Sequence, residues 1–569
     1  MRRSIIITVL ALAPFLGVKA QDISQIAKSD PLVMSGAIGT SNTYYHSTGY
    51  RYSSPFQSNV WANLNLSVYG IAMPFSLYYT NSDFNFNYPH ISLNLSPRYK
   101  QWQAYFGQSS MSYSPYVMNM SFNGIGVEYQ GDRLRFGLFY GRLRNAINDD
   151  PTDLGARLPQ YRRTAWGVKV GYGSQKHYLD LYFLRAFDSE RSISEHWRQQ
   201  VNPQENLVVG LRGYSRITRW LALSANAATS LITTDTRARR VESDKLDGWD
   251  KIFDARYTSN MRFAGDASVN LTLRGLNAAI SYRMVQPDYT SLGTYYMSNN
   301  YQSLAITAST RLFKSIALSG NFSAQSDNLS NKQLYTTRGF VYAANASTRI
   351  GQVMVSARYN GYLQRQYDGT AHVNDTTRIS RIMHSIGASA SYSFQTENLN
   401  HSFSLTAAVN QNKDLNKFAT GESDVKTISG GASYNVNVEP WQTDFTTTLN
   451  HQQSRGYSTK YTSDILSLSA ARSFLHEQNL HLQATLTLCY NKMEHMRENM
   501  SLGGDMQVGY TLKNVHTFAL SGGIARSNDV NIIEGQDLYN VTELNVGLSY
   551  TYTFSLFEIK RQSATPTTN

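Results

Sequence analysis

Seven basic residues, Arg133, Arg135, Lys169, Arg283, Arg311, Arg349 and Arg358, share the parity of Ser, Thr, Asn and Gln in segments where apolar and polar residues alternate. Alternation of period two sends successive side chains to opposite faces of a β-strand, so these cations belong to a polar face. Along the inside of a pore, such cations favour anions. Paired with carboxylates such as Asp180, Asp444 and Asp505, they are structural ion pairs instead. The sequence leaves both readings open. Hydrolytic chemistry has less to work with. There is no G-x-S-x-G elbow and no H-E-x-x-H helix signature. His476-Glu477 is followed by His481, one residue too far for that signature, and it falls at a predicted turn. The 12 histidines single out no candidate, and lone carboxylates such as Asp444 and Asp505 more naturally serve arginines. Because Ser, His and Asp can converge from separate strands, an outer-membrane enzyme stays as a minor alternative. No cofactor and no metal site is expected.

The elements that would hold the seven cations form a repeating hairpin pattern. Leu544, Val546, Leu548, Tyr550, Tyr552 and Phe554 fall on one face of the final run, opposite Asn545, Gly547, Ser549, Thr551 and Thr553. Leu304, Ile306, Ala308 and Leu312 oppose Ser303, Thr307, Ser309 and Arg311, and the same alternation runs through Phe340–Ile350, Val353–Asn360, Phe403–Asn410 and Leu480–Tyr490. Short turns rich in Gly, Asn, Asp and Pro, which supply positive or fixed φ, fall near Gly70, Pro97-Arg98, Gly131-Asp132, Gly173-Ser174, Gly275, Phe313, Gly351, His476-Glu477 and Lys513-Asn514. Longer polar loops alternate with them, the largest near Asn145–Arg162, Asp188–Glu205, Thr233–Arg256, Val285–Asn300 and Gln364–Thr377. One hairpin per long loop gives about 13 hairpins, hence an all-β, single antiparallel transmembrane barrel of about 26 strands, within a range of roughly 22 to 28.

The polar faces carry small neutral residues rather than Lys and Glu, which suits a confined, wet lumen better than bulk water. Tyr is unusually abundant, 39 residues against 24 Phe and 7 Trp, and amphipathic rings in this number suit girdles at membrane interfaces. Tyr342, Tyr359, Tyr392, Tyr434, Tyr490, Tyr510, Tyr550 and Phe554 all stand at apolar-face positions and are the candidate interface aromatics.

Arg2 and Arg3, the apolar run Ile5–Val18 and the small residues of Val18-Lys19-Ala20 read as a secretory signal covering 1–20. The apolar run of about 14 residues falls short of the roughly 20 that a spanning helix needs. A short periplasmic segment (21–31), the barrel (32–554) and a polar tail (555–569) complete the expected division. It leaves no room for the plug domain of an energy-coupled transporter. No later stretch is long and apolar enough for a transmembrane helix, and a mean hydropathy of -0.39 does not argue against a barrel, in which only alternate residues meet lipid. The formal charge of +12 drops to +9 once Arg2, Arg3 and Lys19 leave with the signal, and the charges are scattered rather than clustered, so nucleic acid is not an expected partner. Cys489 is the sole cysteine, which excludes an intrachain disulfide, and it falls on a polar strand face.

The densest motifs lie between Ser96 and Gly173. Ser96-Pro97-Arg98-Tyr99-Lys100, Tyr113-Ser114-Pro115-Tyr116, Gly124-Ile125-Gly126-Val127-Glu128-Tyr129, the run Arg135 to Leu143, and Trp166 to Gly173 with Tyr161-Arg162-Arg163 before it resemble a group of large outer-membrane barrels of the Bacteroidota that has no assigned activity. The resemblance implies location in the outer membrane of a Gram-negative bacterium and a barrel fold, and it implies no mechanism.

At this strand number side chains alone cannot fill the lumen. The chain therefore reads as a porin-like channel for polar solutes with an anion lean. The alternative is a structural or docking barrel in a secretion, surface-assembly or uptake complex. The expected partners are outer-membrane lipid, the barrel-assembly machinery and a protein in the lumen or at the long loops.

Overall fold

The computed structural model describes residues 31–49, 55–81, 91–149, 157–241, 253–475, 479–494, 497–532 and 540–559. They form one antiparallel sheet in which each strand pairs with the next. The first strand, Leu32–Ser47, also pairs along its length with the last, Val541–Ile559, in a register that sets Thr40 against Tyr550 and Ile38 against Tyr552. That pairing closes the sheet and leaves no edge. Ile91–Leu95 and Arg98–Tyr99 are two pieces of one strand, interrupted at Ser96-Pro97, since both lie between Ile71–Thr80 and Trp102–Ser109. Counted so, the barrel has 26 strands, as the loop count predicts.

The alternation decides which side meets what. Leu179, Leu181, Ile280, Tyr282, Leu304, Ile306, Leu486 and Leu548 are exposed on the outer face, while Ser, Thr, Asn, Gly and the charged residues point inward. An apolar outer belt on a closed sheet satisfies both demands of lipid, apolar contact and internally paired backbone, and it makes this a membrane-spanning barrel. Among the described residues no helix is long and apolar enough to cross a membrane.

Turns follow the expected chemistry with one shift. Tyr69-Gly70, Phe313-Lys314 and Lys513-Asn514 each place two consecutive residues at positive φ, as a two-residue hairpin turn of this twist demands. The turn expected at Pro97-Arg98 lies instead at Lys100-Gln101: Pro97 cannot donate to the ladder and merely interrupts the strand, and Arg98-Tyr99 resumes it before Lys100 adopts φ 54°. The last strand continues past Phe554 to Ile559. The expected turn at His476-Glu477 and the residues 1–30 and 560–569 lie outside the described residues.

At the long-loop end, one quadrant is capped. Tyr161, Ile193 and Trp197 form a small apolar cluster, Trp197 Nε1 donates to the Asp149 carbonyl at 2.9 Å, and Arg157 binds both oxygens of the Asp149 carboxylate. The Arg157 guanidinium holds that carboxyl down at about 2.

Candidate functional site

The lumen is not uniformly empty. The segment between strands Trp102–Ser109 and Phe122–Gln130 turns inward and lies on the inner wall, and within it Met111, Tyr113, Tyr116, Val117, Met118 and Met120 are buried. A second loop, between Leu276–Val285 and Tyr301–Leu312, comes in beside it and buries Tyr289 and Leu292. The two are knit together by backbone and side-chain bonds. Asn119 N and Met120 N donate to the Gly293 carbonyl at 3.0 and 3.1 Å. Tyr289 Oη donates to Tyr116 O at 2.8 Å, and Ser291 Oγ to Val117 O at 2.5 Å. The wall anchors both: Tyr116 Oη donates to Asp266 Oδ1 at 2.7 Å, Leu292 N to Asn206 Oδ1 at 2.9 Å, and Ser230 Oγ to the Thr290 carbonyl at 2.5 Å.

Glycines on the inward parity make the seat. A Cβ on Gly210 would lie 2.4 Å from Val117 Cγ2, one on Gly137 2.9 Å from Met111 Cε, and one on Gly167 2.4 Å from the Phe139 ring and 3.1 Å from Tyr113 Oη. Glycine within a strand often marks a close approach of another group, and here three neighbouring stretches of wall give way to the same loop. Phe139, Tyr182, Leu184 and Val208 fill the space between, with Phe122 and Phe139 stacked at 4.6 Å and Tyr113 edge-on to Phe139 at 5.7 Å. Most of the motifs that carry the resemblance, from Tyr113-Ser114-Pro115-Tyr116 to the glycines of 124–171, are this loop and its seat.

The seven sequence-predicted cations divide between two environments. Arg135 is ion-paired with Asp180 at 2.8 Å. Lys169, nearly buried, contacts Glu128 Oε1 at 3.1 Å and donates to the Ser112 carbonyl at 3.4 Å, so it tethers the inward loop. Tyr105 Oη donates to the other oxygen of Glu128 at 2.9 Å. Arg283 lies beside Tyr116, Tyr301 and Asp266. Arg133 is exposed at the short-turn end. Farther up the same wall, Arg163 and Arg144 share Asp188 at 2.8 and 3.6 Å.

The other side of the lumen carries Arg311, Arg349 and Arg358, and none of these forms an ion pair among the described residues. Arg349 Nε donates to Gly351 O at 3.2 Å, at the rim. Arg358 lines an inner groove of about 530 Å³ with Ser356, Ser389, Thr406, Ser429 and Asn450. Arg311 and Arg358 share a second groove with Asn277, Ser309 and Asn345. Nothing in the sequence singles out Arg381, which shares this inward parity and donates through Nε to Gln364 Oε1 at 2.7 Å; only the register places it opposite Gln364. The inward Asp444 accepts from Asn437 at 2.8 Å, and Asp505 stands across from Gly523. Cys489 points inward, 3.5 Å from Asn491 Oδ1.

Tyr342, Tyr359, Tyr392, Tyr434, Tyr490, Tyr510, Tyr550 and Phe554 all occupy outward positions. Several are tied to outward histidines: Tyr359 to His384, Tyr434 to His401 and Tyr550 to His516, at 2.8, 2.8 and 2.9 Å. Among the described residues no group of three or more His, Cys, Asp or Glu is placed to hold a metal ion.

No family model matches the chain, and no curated protein matches it. Solved structures similar to it include the P pilus usher (PapC) translocation pore, with 10% identity over 92% of this chain and 100% of that one at a TM-score of 0.34. The E. coli P pilus tip assembly intermediate PapC-PapD-PapK-PapG matches at 10% identity over 90% of this chain and 62% of that one, with a TM-score of 0.44. Pseudomonas aeruginosa OccK2 (OpdF) in complex with glucuronate matches at 8% identity, 92% of this chain, 98% of that one and a TM-score of 0.29. Scores this low carry no argument about function, and the barrel stands on this chain's own strand register and outer belt.

Proposed function

We propose that this chain is an outer-membrane channel for polar solutes with an anion lean, narrowed on one side by its two inward loops. The observation that carries the reading is the contrast within the lumen. One wall is covered and its buried charges are paired, while the other presents small hydroxyls and amides together with Arg311, Arg349 and Arg358, none of them ion-paired among the described residues. Cations on a wetted pore wall raise the local concentration of anions and oppose cations. The outward tyrosines act as interface anchors in this reading, and outer-membrane lipid and the barrel-assembly machinery are the partners it requires.

Planar-bilayer recording tests it. The purified barrel should open in steps, with a reversal potential in a KCl gradient shifted toward chloride, and an Arg311→Gln/Arg349→Gln/Arg358→Gln protein should lose most of that shift. A selectivity unchanged in the triple variant overturns the anion lean. A silent bilayer overturns the channel and favours a docking barrel.

A further inference from the structure

Most of the inward positions of the open wall are Ser, Thr, Asn, Gln, Gly or Ala, and a row of three apolar residues departs from that pattern. Val341, Tyr362 and Met383 are direct cross-strand partners on three adjacent strands, Tyr335–Ile350, Val353–Asp368 and Ser380–Thr396. Their parity is inward, because the Tyr342 and Tyr359 rings meet on the outer face at 5.8 Å, tilted 39° to one another, and His384 bonds Tyr359 there. Val341 and Met383 are 38% and 49% exposed although they face the lumen, so they are not packed under anything. Gly339, inward on the same strand as Val341, leaves room for the Tyr362 ring, which a Cβ there would meet at 3.3 Å.

Guanidinium groups bracket this row along the pore. One inward position toward the long-loop end stands the Gln364–Arg381 pair. Two inward positions toward the short-turn end stands Arg358, beyond Asn360 and Ser385. Asp414 lies across from Arg381 in the register, but it accepts from Asn416 N and Ser423 Oγ and makes no ion pair with Arg381. At the short-turn rim the combination recurs, with exposed Met354 directly across from Arg349. With strands about 4.8 Å apart, the row is an apolar step roughly 10 Å wide between two cationic ones.

Resting on the channel reading above, we propose that Val341, Tyr362 and Met383 form a lumenal subsite for amphiphilic monocarboxylates. The apolar tail lies on the row, and the carboxylate is held by Arg381 on the outer side and passed to Arg358 on the inner. Small inorganic anions use the arginines alone. A carboxylate with a hydrocarbon tail uses both, because burying methylenes against Val, Tyr and Met is favourable whether or not the head is bound.

The test compares two anions with the same head. In bilayers holding the intact barrel in KCl, hexanoate should reduce the open-state current at about tenfold lower concentration than acetate, less than half of what full burial of four extra methylenes would produce. Val341→Ser/Tyr362→Ser/Met383→Ser should bring the hexanoate-to-acetate ratio close to one, and Tyr362→Ser alone should lower it if the triple variant does not assemble. Arg381→Gln should weaken block by both anions together and leave their ratio intact. Equal potency of the two anions in a conducting wild-type channel, or a ratio indifferent to the row variants, overturns the subsite and leaves the channel standing. A silent bilayer removes the channel reading and the subsite with it.

Discussion

The wall from about residue 102 to 300 and the wall from about 301 to 532 are built from the same hairpins and face the same lumen, yet they have solved opposite problems. The first receives two loops. Beneath them its inward positions are rich in glycines and aromatics and the buried charges are paired, Lys169 and Glu128 each being less than a tenth exposed. The second receives no loop among the described residues. Most of its inward side chains are short, neutral and wet, and Arg311 and Arg358 stand in grooves of hydroxyls and amides. A charge on the covered wall must be paired because water cannot reach it, and a charge on the open wall is solvated and free to act on a passing solute. The same residue type thus tethers a loop on one side and can select ions on the other.

Removing the loop gives the sharpest break in this comparison. Replacing Met111–Met120 with a short Gly-Ser turn should raise single-channel conductance roughly twofold or more, because an unobstructed barrel of this strand number encloses an aqueous channel. Shortening the exposed loop around Gly421 on the other side should leave conductance nearly unchanged. If the two deletions have equal effects in bilayer recordings, the inward loop is not the constriction.

Stability should separate the walls next. Glu128→Gln strands the buried Lys169 ammonium and should cost about 3–5 kcal/mol, read as a lower urea midpoint for the refolded barrel in detergent micelles. Arg358→Gln removes a solvated charge that pairs with nothing described, and should stay within about 0.5 kcal/mol. Similar losses for the two would show that the open wall is as tightly organised as the covered one.

The division between walls was only partly legible in the sequence. Alternation identifies the strands, their faces and their number because lipid and lumen impose period two on every strand. It assigns the inward parity of Arg135, Lys169, Arg311 and Arg358 alike, but a partner such as Asp180 or Glu128 sits on another strand, and only the register shows whether it lies opposite. The inward loop escaped for a different reason. Met111, Tyr113, Tyr116, Val117, Met118 and Met120 follow no period, since a segment packed against a curved wall buries whichever side chains fit. The available signal was on the receiving side: Gly137, Gly167 and Gly210 occupy polar-face positions that elsewhere hold Ser, Thr or Asn. Repeated glycine on one face of neighbouring strands marks the approach of another piece of chain. Arg381 was missed because nothing local distinguishes it from the arginines that end strands in loops.

The smallest effects lie inside the Tyr113-Ser114-Pro115-Tyr116 tip, where two buried tyrosines should respond with opposite signs. Tyr116 Oη donates to Asp266, a carboxylate that also accepts from Asn226 Nδ2 at 3.0 Å. Tyr116→Phe therefore removes a charge-assisted bond, at about 1.5–3 kcal/mol, and should raise protease cleavage and open-state noise by loosening the loop. Tyr113 is equally buried, but its hydroxyl has no hydrogen-bond partner among the described residues, so the covered wall already bears the cost of desolvating it. Tyr113→Phe keeps the ring against Phe139 and Tyr182 and relieves that cost, and should be neutral or stabilising by up to about 1 kcal/mol. On the open wall the equivalent change, Tyr362→Phe, should leave stability unmoved, because water serves that hydroxyl in folded and unfolded chains alike. Loss of stability in Tyr113→Phe would mean that the hydroxyl has a partner in the membrane-embedded protein, an ordered water being the natural one, and that the seat beneath the loop is wetter than its apolar lining implies.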